Sequence, residues 1–484
     1  MVSKSKRAAA LVLTAVLAAA SLAGCGGTTT VTSGGTQTSG GTTSSASTES
    51  SAGGGAGEAV DIDSEETIKT IKDAMAKEAE ATGGKISMKL WCSGDDLKFE
   101  KKLIEEFKEK YKDDRFEIKI QASGAIGEDA AGGKIVESPQ DGADVFNFAD
   151  DQLSTLVEAK AIAKVATLFQ NNVVKDNSED AVTVCKINDT AYAFPKTSDN
   201  GYFMYYDKRV FKDEKSVENM DDMIKTANEA GKSVYLNLSN GWYNTGFFFT
   251  AGCTVEYKDG VQTADYANEK GLAAAKAMCH LAENIDKGFV GTAGSAGDNA
   301  AVQQGFANNQ YAAAIIGTWM GPAIKKSIGE ENVGAAKLPT VLMDGEQKQL
   351  HSFGGYKVVG VNAFTKYPTT AQTLAYFLTT GESQLKRYAC RGLIPTNNEA
   401  LQTKETVKNI LDDTDVQVDI QSDPALKAID AQRQYAHPQG SSVGGKYWAS
   451  NIGGFGGEIV TAKGKISDAD LEKKLKDLVD QMKG

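Results

Sequence analysis

Residues 86–151 alternate short apolar strands with helices, and this order limits the architectures that the chain can adopt. A strand of mostly alternating apolar and polar residues occupies 86–92, and a helix with one apolar face follows it. Two further strands, at 116–120 and 143–148, precede another helix that begins at Asp150. Strands and helices in this order predict an α/β fold with a mostly parallel sheet. Ligands of such sheets bind where strands end and helices begin.

The second half of the chain carries more helical periodicity. Helices are predicted at 218–230, 268–286, 299–308 and 467–482, and buried strands at 311–316 and 356–360. A domain boundary is expected at 195–201, where Pro, Asn and Gly interrupt the pattern.

The first 24 residues have the organisation of a secretory signal. Lys4, Lys6 and Arg7 form a basic start, and an apolar stretch at 8–20 follows, which is too short to span a bilayer. The small residues before Cys25 resemble the lipobox of bacterial lipoproteins, in which the cysteine is lipidated and becomes the new N-terminus. We therefore expect residues 1–24 to be a lipoprotein signal peptide. The alternative is ordinary signal cleavage with Cys25 incidental.

Residues 25–60 read as a tether, because they are almost entirely Gly, Ser, Thr and Ala. Such a coil reaches roughly 30 Å from its anchor. A first helix is expected within 61–84, with Ser64 as its N-cap. No later segment has 18 consecutive apolar residues. The expected location is extracytoplasmic, with the protein held on the bacterial cell membrane by its N-terminal lipid alone.

Composition excludes several classes of function. The formal net charge of −12 argues against nucleic-acid binding. The three histidines lie far apart, and no His or Cys spacing fits a metal site or a catalytic motif, so neither a cofactor nor a metal is expected. A nucleophile-elbow pattern at 440–444 and a near P-loop at 440–446 do not follow an apolar strand. Five cysteines besides Cys25 are expected as buried thiols, with one disulfide left open.

Six segments, taken in order, carry a resemblance to a known family. They lie at 89–95, 142–151, 191–208, 304–319, 352–355 and 392–396. Together they resemble ABC-transporter extracellular solute-binding proteins of the maltose-binding-protein, sugar-binding type. The resemblance implies a two-lobe periplasmic-binding-protein-like fold of type II, with hinge bending around a cleft. It places lobe 1 at 86–196 plus 354–395 and lobe 2 at 200–350 plus 400–484.

The same resemblance implies a set of ligand-binding residues. They are Asp95, Phe148, Asp151, Asn200, Trp242, Tyr243, Trp319, Gly354, Gly355, Tyr447 and Trp448. Short acids and amides would bond sugar hydroxyls, and flat rings would stack on the C–H faces. Two departures put maltose itself in doubt: Asp96 and Gln152 stand where the family has basic residues, and Asn200 stands for a glutamate. Helix capping by the Asp pairs and core packing of the aromatic residues remain open alternatives.

The expected function is that of a non-enzymatic lipoprotein of an ABC importer. It would bind a carbohydrate, an oligosaccharide above all, as a monomer and deliver it to the permease subunits. One alternative is a binding lipoprotein for a non-sugar solute such as a peptide or a polyamine. Another is a secreted glycoside hydrolase that uses Asp95 and Asp151 as its carboxylate pair.

Overall fold

A computed structural model describes residues 59–258, 261–439 and 443–483. The predicted signal peptide, Cys25 and all but the last two residues of the predicted tether lie outside the described residues. No helix in the described part of the chain has both the length and the apolar character needed to cross a membrane.

Ten strands of the described residues form two five-stranded sheets. They are β1 (Lys85–Trp91), β2 (Glu117–Ser123), β3 (Val145–Ala149), β4 (Ala193–Thr197), β5 (Phe203–Asp207), β6 (Ser233–Tyr235), β7 (Phe289–Val290), β8 (Tyr311–Ile316), β9 (Val333–Ala336) and β10 (Lys357–Val361). The first sheet has the order β2-β1-β3-β10-β4 and forms lobe 1, and the second has the order β7-β6-β8-β5-β9 and forms lobe 2. The first sheet therefore combines strands at 85–197 with one at 357–361, and the second uses strands at 203–336.

The two sheets share one departure from parallel pairing. In lobe 1, β1 pairs in parallel with β2 and β3, whereas β10 runs antiparallel to β3 and β4. In lobe 2, β5 runs antiparallel to β8 and β9. The one antiparallel strand of each sheet is β10 in lobe 1 and β5 in lobe 2. Each is the first sheet strand that the chain forms after crossing from the other lobe.

Eighteen α-helices surround the sheets in the described residues. They are α1 (Glu65–Glu80), α2 (Leu97–Lys110), α3 (Ala131–Glu137), α4 (Leu153–Glu158), α5 (Thr167–Asp176), α6 (Glu179–Thr183), α7 (Met220–Glu229), α8 (Gly241–Thr250), α9 (Glu269–Ala282), α10 (Asp298–Ala307), α11 (Gly321–Ile328), α12 (Pro368–Phe377), α13 (Gly381–Arg391), α14 (Asn398–Leu401), α15 (Pro424–Arg433), α16 (Gly445–Ala449), α17 (Ile452–Thr461) and α18 (Asp468–Lys483).

The helix predicted near the N-terminus forms and belongs to lobe 1. The Ser64 side chain accepts a hydrogen bond from the Thr67 N–H, which caps α1. Ile71, Met75 and Ala79 are fully buried on one face. The Glu78 carboxylate accepts the N–H groups of two residues at the start of α12, so the two helices hold each other.

Short strand pairs lie outside the two sheets. Four are hairpins, at Lys186–Ile187 with Thr190–Ala191, Val255–Lys258 with Val261–Ala264, Thr340–Met343 with Glu346–Gln349, and Lys404–Lys408 with Asp415–Asp419. The last hairpin packs against α13 of lobe 1, although the sequence assigns 400–484 to lobe 2. A parallel pair, Ser352–Gly354 with Ala436–Pro438, lies beside the hinge.

The chain passes between the lobes three times, and the crossing segments bond to one another. The first crossing joins β4 to β5, the second joins β9 to β10, and the third leads from α13 to α15. The Asn200 N–H donates to the Gly355 carbonyl at 3.2 Å, and the Ser198 N–H donates to the Ile394 carbonyl at 2.9 Å. These bonds tie the three crossing segments of the hinge into one unit.

Candidate functional site

A cavity of about 490 Å³ opens between the two lobes on one side of the hinge. Its lobe 1 wall consists of the loops after β1 and β2, the end of β3, the start of the antiparallel β10 and the end of α13. The carboxyl ends of the parallel strands thus face the cavity, as expected for such sheets. Its lobe 2 wall consists of the starts of α8 and α10 and the turn after β8. Asn200 contributes from the hinge itself.

Buried charges form the floor on the lobe 1 side. The Lys196 ammonium, which is fully buried, lies 3.2 Å from Asp96, 3.4 Å from Glu100 and 2.9 Å from Glu128. Burial alone would lower the pKa of Lys196, but the three carboxylates raise it. Asp96 also accepts a hydrogen bond from the Arg391 guanidinium at 2.9 Å. The floor is therefore a paired ionic network, with Asp96 and Glu128 facing the cavity.

Aromatic rings form the facing wall on lobe 2. Trp242, Tyr243 and Trp319 all line the cavity, and the rings of Trp242 and Trp319 lie 5.9 Å apart. The Trp319 indole N–H donates to Asn299 at 2.9 Å. A Cβ on Gly317 would lie 1.9 Å from the Trp319 ring, so a glycine is required for this ring to fold back over its own turn.

A single glutamine joins the aromatic wall to lobe 1. The Trp242 indole N–H donates to Gln439 Oε1 at 2.9 Å, and Gln439 Nε2 donates to Asp151 Oδ2 at 2.6 Å. Burial and the charge of Asp150 raise the pKa of Asp151 to about 8, and burial raises the pKa of Asp150 to about 6. Asp151 thus lies in an environment that favours its protonated form near neutral pH.

We expect Asp151→Asn to stabilise the protein in a pH-dependent way. An unfolded aspartate titrates near pH 4, whereas the folded Asp151 titrates at a pKa of about 8. Wild-type stability should therefore fall as pH rises between these values, because the folded state must release a proton that it holds tightly. The melting temperature of Asp151→Asn should exceed that of wild type at pH 8, and the gap should close toward pH 4. The exposed Asp477, changed to Asn, is the control and should show no such trend.

Five of the eleven residues expected at the ligand line this cavity. They are Asp95, Asn200, Trp242, Tyr243 and Trp319. Neither Asp96 at the start of α2 nor the Asp150–Asp151 pair makes a side-chain capping bond. The helix-capping alternative is therefore wrong for these acids.

The other six residues lie elsewhere, each for a packing reason. Phe148 is fully buried because β3 is covered on both faces. Tyr447 is fully buried, and its hydroxyl bonds Thr245 and Tyr266 at 2.7 Å each. Trp448, 36% exposed, packs on Phe353 outside the cavity. Asp151 bonds Gln439 as described above.

Gly354 and Gly355 line a second cavity, of about 370 Å³, which lies at the hinge. A Cβ on Gly355 would lie 2.6 Å from Asp150 Oδ1, and one on Gly354 would lie 2.7 Å from the Ala436 Cβ. These glycines therefore permit close packing between crossing segments, and they do not line the cavity between the lobes.

Sequence reasoning missed most of the charged lining. The cavity also has Asp96, Glu128, Asp129, Asp298, Asn299, Lys357 and Arg391 in its walls. Asp298 stands at the first position of α10, directly after Gly297 in a left-handed conformation with φ of 78°. In the sequence, this residue could have been recognised from the glycine and aspartate that precede a predicted helix. The same pair is also found where an acid simply stabilises the first turn of a helix.

The described cysteines are all free thiols, and Cys92, Cys185, Cys253 and Cys279 are buried. This agrees with the expectation of buried thiols, apart from the half-buried Cys390. Among the described residues no group of three or more His, Cys, Asp or Glu side chains could hold a metal ion.

Comparison with known proteins fixes the family. Residues 102–428, more than half of the chain, match the family model for the bacterial extracellular solute-binding protein. The chain belongs to this family. Among curated protein sequences, none matches this solute-binding protein.

Solved structures similar to the solute-binding protein share its two-lobe fold. One, described as being with acarbose, is 28% identical with a TM-score of 0.68, covering 83% of this chain and 99% of its own. The L. casei maltodextrin binding protein without ligand is 24% identical with a TM-score of 0.63, over 83% and 99% of the two chains. The Thermus thermophilus maltotriose binding protein bound with maltotriose is 19% identical with a TM-score of 0.64, over 82% and 99%.

Proposed function

We propose that this solute-binding protein captures a carbohydrate, specifically an oligosaccharide, in the 490 Å³ cleft and delivers it to an ABC permease. The observation that carries the proposal is the different chemical character of the two walls. Lobe 2 presents three aromatic rings together with Asp298 and Asn299, and lobe 1 presents carboxylates and cations that bond hydroxyl groups. A sugar has apolar C–H faces and a rim of hydroxyls, so each wall matches one part of it.

Similar structures support the same ligand class. One is described with acarbose, one is bound with maltotriose, and the third is named for binding maltodextrin, and all three compounds are oligosaccharides. The departures at Asp96 and Asn200 remain, and they favour a ligand that differs from maltose in its polar contacts.

Closure of the lobes would assemble the site. The hydrogen bonds from Trp242 to Gln439 and from Gln439 to Asp151 join the lobes beside the cleft. A ligand that contacts both walls binds the closed form better and so shifts the population toward it. The closed form, as a lipid-anchored monomer with Cys25 as the anchor, would then dock on the permease.

A calorimetric titration with a panel of mono- and oligosaccharides tests this function. We expect saturable one-to-one binding of at least one oligosaccharide, with the sugar recovered unchanged. New reducing ends in the recovered sugar would instead make the protein a glycoside hydrolase. Absence of binding to every member of the panel would contradict carbohydrate transport.

A further inference from the structure

The charges that line the cleft do not balance. Five carboxylates, Asp95, Asp96, Glu128, Asp129 and Asp298, share the cavity walls with two cations, Lys357 and Arg391. Carboxylates bond the hydroxyl groups of a neutral sugar well, but a neutral ligand leaves this net negative charge uncompensated. An excess of negative charge beside aromatic rings favours a cationic group on the ligand.

The cations near the cleft are already paired with the floor. Lys357 lies 3.4 Å from Glu128 and 4.0 Å from Asp199. Arg391 bonds Asp96 at 2.9 Å and reaches Asp95 only at 3.9 Å. The two cations therefore neutralise the buried carboxylates of Asp96, Glu128 and Asp199. In the described ranges, the other carboxylates of the cleft have no closer counter-ion than Arg391, which lies 3.9 Å from Asp95.

Two carboxylates on opposite lobes have no cationic partner among the described residues. Within the described part of the chain, Asp298 accepts hydrogen bonds from neutral donors, the Tyr235 hydroxyl at 2.6 Å, the Asn237 amide at 2.9 Å and the Asn240 amide at 3.0 Å. These bonds hold the Asp298 carboxylate in place beside the aromatic wall. Asp129 is exposed on the lobe 1 side and makes no ion pair in the described structure.

The aromatic wall already binds an ammonium group. The Lys357 ammonium lies 5.2 Å from the centre of the Trp319 ring, within the range of a cation–π contact. This contact comes from lobe 1 and crosses the cleft. The Trp319 ring therefore has the electrostatic character that a positively charged group requires, but Lys357 already occupies it. The neighbouring Trp242 has no cation contact in the described structure and is the indole open to a positively charged ligand.

From these observations we propose that the ligand carries a protonated amino group, bound between Asp298, Asp129 and the indole rings. Resting on the proposed carbohydrate function, this makes the ligand a basic amino sugar or an oligosaccharide that contains one. The neutral donors around Asp298 fix its position, and the indoles supply the remaining attraction.

Three probes separate this inference from the carbohydrate function. They are maltotriitol, which is neutral, its 1-amino-1-deoxy derivative, which differs by one ammonium group, and spermidine, which has ammonium groups without a sugar. We expect calorimetry at neutral pH to show the amino derivative binding about tenfold more tightly than maltotriitol. The preference should shrink at high salt, because part of it is screened.

Variants locate the charge that is responsible. Asp298→Asn keeps an acceptor oxygen for its neighbours, and we expect it to abolish most of the preference. Asp129→Asn, at an exposed position that the fold tolerates, should reduce it further. Asp477→Asn removes one negative charge from the exposed face of α18 and should leave the preference intact.

Each outcome decides one of the two claims. Equal affinity for the two trisaccharides would overturn the inference and leave the carbohydrate function standing. A preference that survives in both Asp298→Asn and Asp129→Asn would also overturn it. Binding of spermidine with no binding of either trisaccharide would support the cation site, and the full sugar panel described above would then decide the carbohydrate function. Failure of all three probes to bind would overturn the inference, and the same panel would decide the carbohydrate function.

Discussion

Lys196→Met is expected to lower the free energy of unfolding by about 3–5 kcal/mol. The Lys196 side chain is fully buried and is shared by Asp96, Glu100 and Glu128, each within 3.4 Å. A methionine fills a similar volume but leaves these acids without their common counter-ion. Burial alone would raise the pKa of Asp96 and Glu128, and the lysine charge is first among the causes that hold both pKa values below normal.

The sign of the pH dependence follows from those lowered pKa values. Carboxylates that titrate below their unfolded values stabilise the folded state at neutral pH, and this contribution is lost as the pH falls. The loss in the free energy of unfolding of Lys196→Met relative to wild type, measured by urea denaturation, should therefore be largest near neutral pH and smaller in acid. Lys276→Met, which removes an exposed lysine 2.9 Å from Asp468, is the matched control and should cost less than about 1 kcal/mol. If Lys196→Met lost no more stability than this control, Lys196 would not be the counter-ion that stabilises the buried carboxylates.

Trp319→Ala is expected to weaken oligosaccharide binding at least about tenfold, which corresponds to about 1.4 kcal/mol. The indole lines the cleft beside Trp242, is positioned by its bond to Asn299, and is partly rather than fully buried. A partly exposed aromatic ring on a cavity wall becomes buried when a sugar stacks on it. The protein should remain folded, because the adjacent Thr318 still bonds Asp199 at 2.8 Å.

A matched control removes an aromatic ring elsewhere. Phe364 is 49% exposed on lobe 1 and does not line the cleft. Phe364→Ala should leave the affinity measured by calorimetry unchanged. An affinity of Trp319→Ala equal to that of Phe364→Ala would remove Trp319 from the site.

Long periodic elements could be predicted from the sequence because burial alone sets their pattern. The strand at 311–316 has the predicted bounds, since its apolar run lies between a helix and a Gly-Thr turn. The predicted helix at 218–230 is found at Met220–Glu229. The four short hairpins were missed, because strands of two to five residues carry too few alternations to be distinguished from loops.

Which side chains face the cleft could be predicted only in part. Tyr447 and Trp448 are neighbours on one short helix, yet the first is fully buried and the second is 36% exposed. The sequence shows two adjacent aromatic residues but does not show which of them packs into the core of lobe 2. Lys196 and Lys357 were missed for a related reason: a lysine in a strand usually faces solvent, and only the fold brings the acids from distant loops to these two.

Hydrogen exchange with and without maltotriose, read by mass spectrometry, tests the central claim most directly. If the ligand lies between the lobes, saturating sugar should protect amides at 93–97 and 127–132 of lobe 1 and at 241–246 and 298–302 of lobe 2 together. The walls of the hinge cavity at 180–184 should be unaffected. Protection confined to one lobe, or confined to 180–184, would contradict a binding cleft between the two lobes.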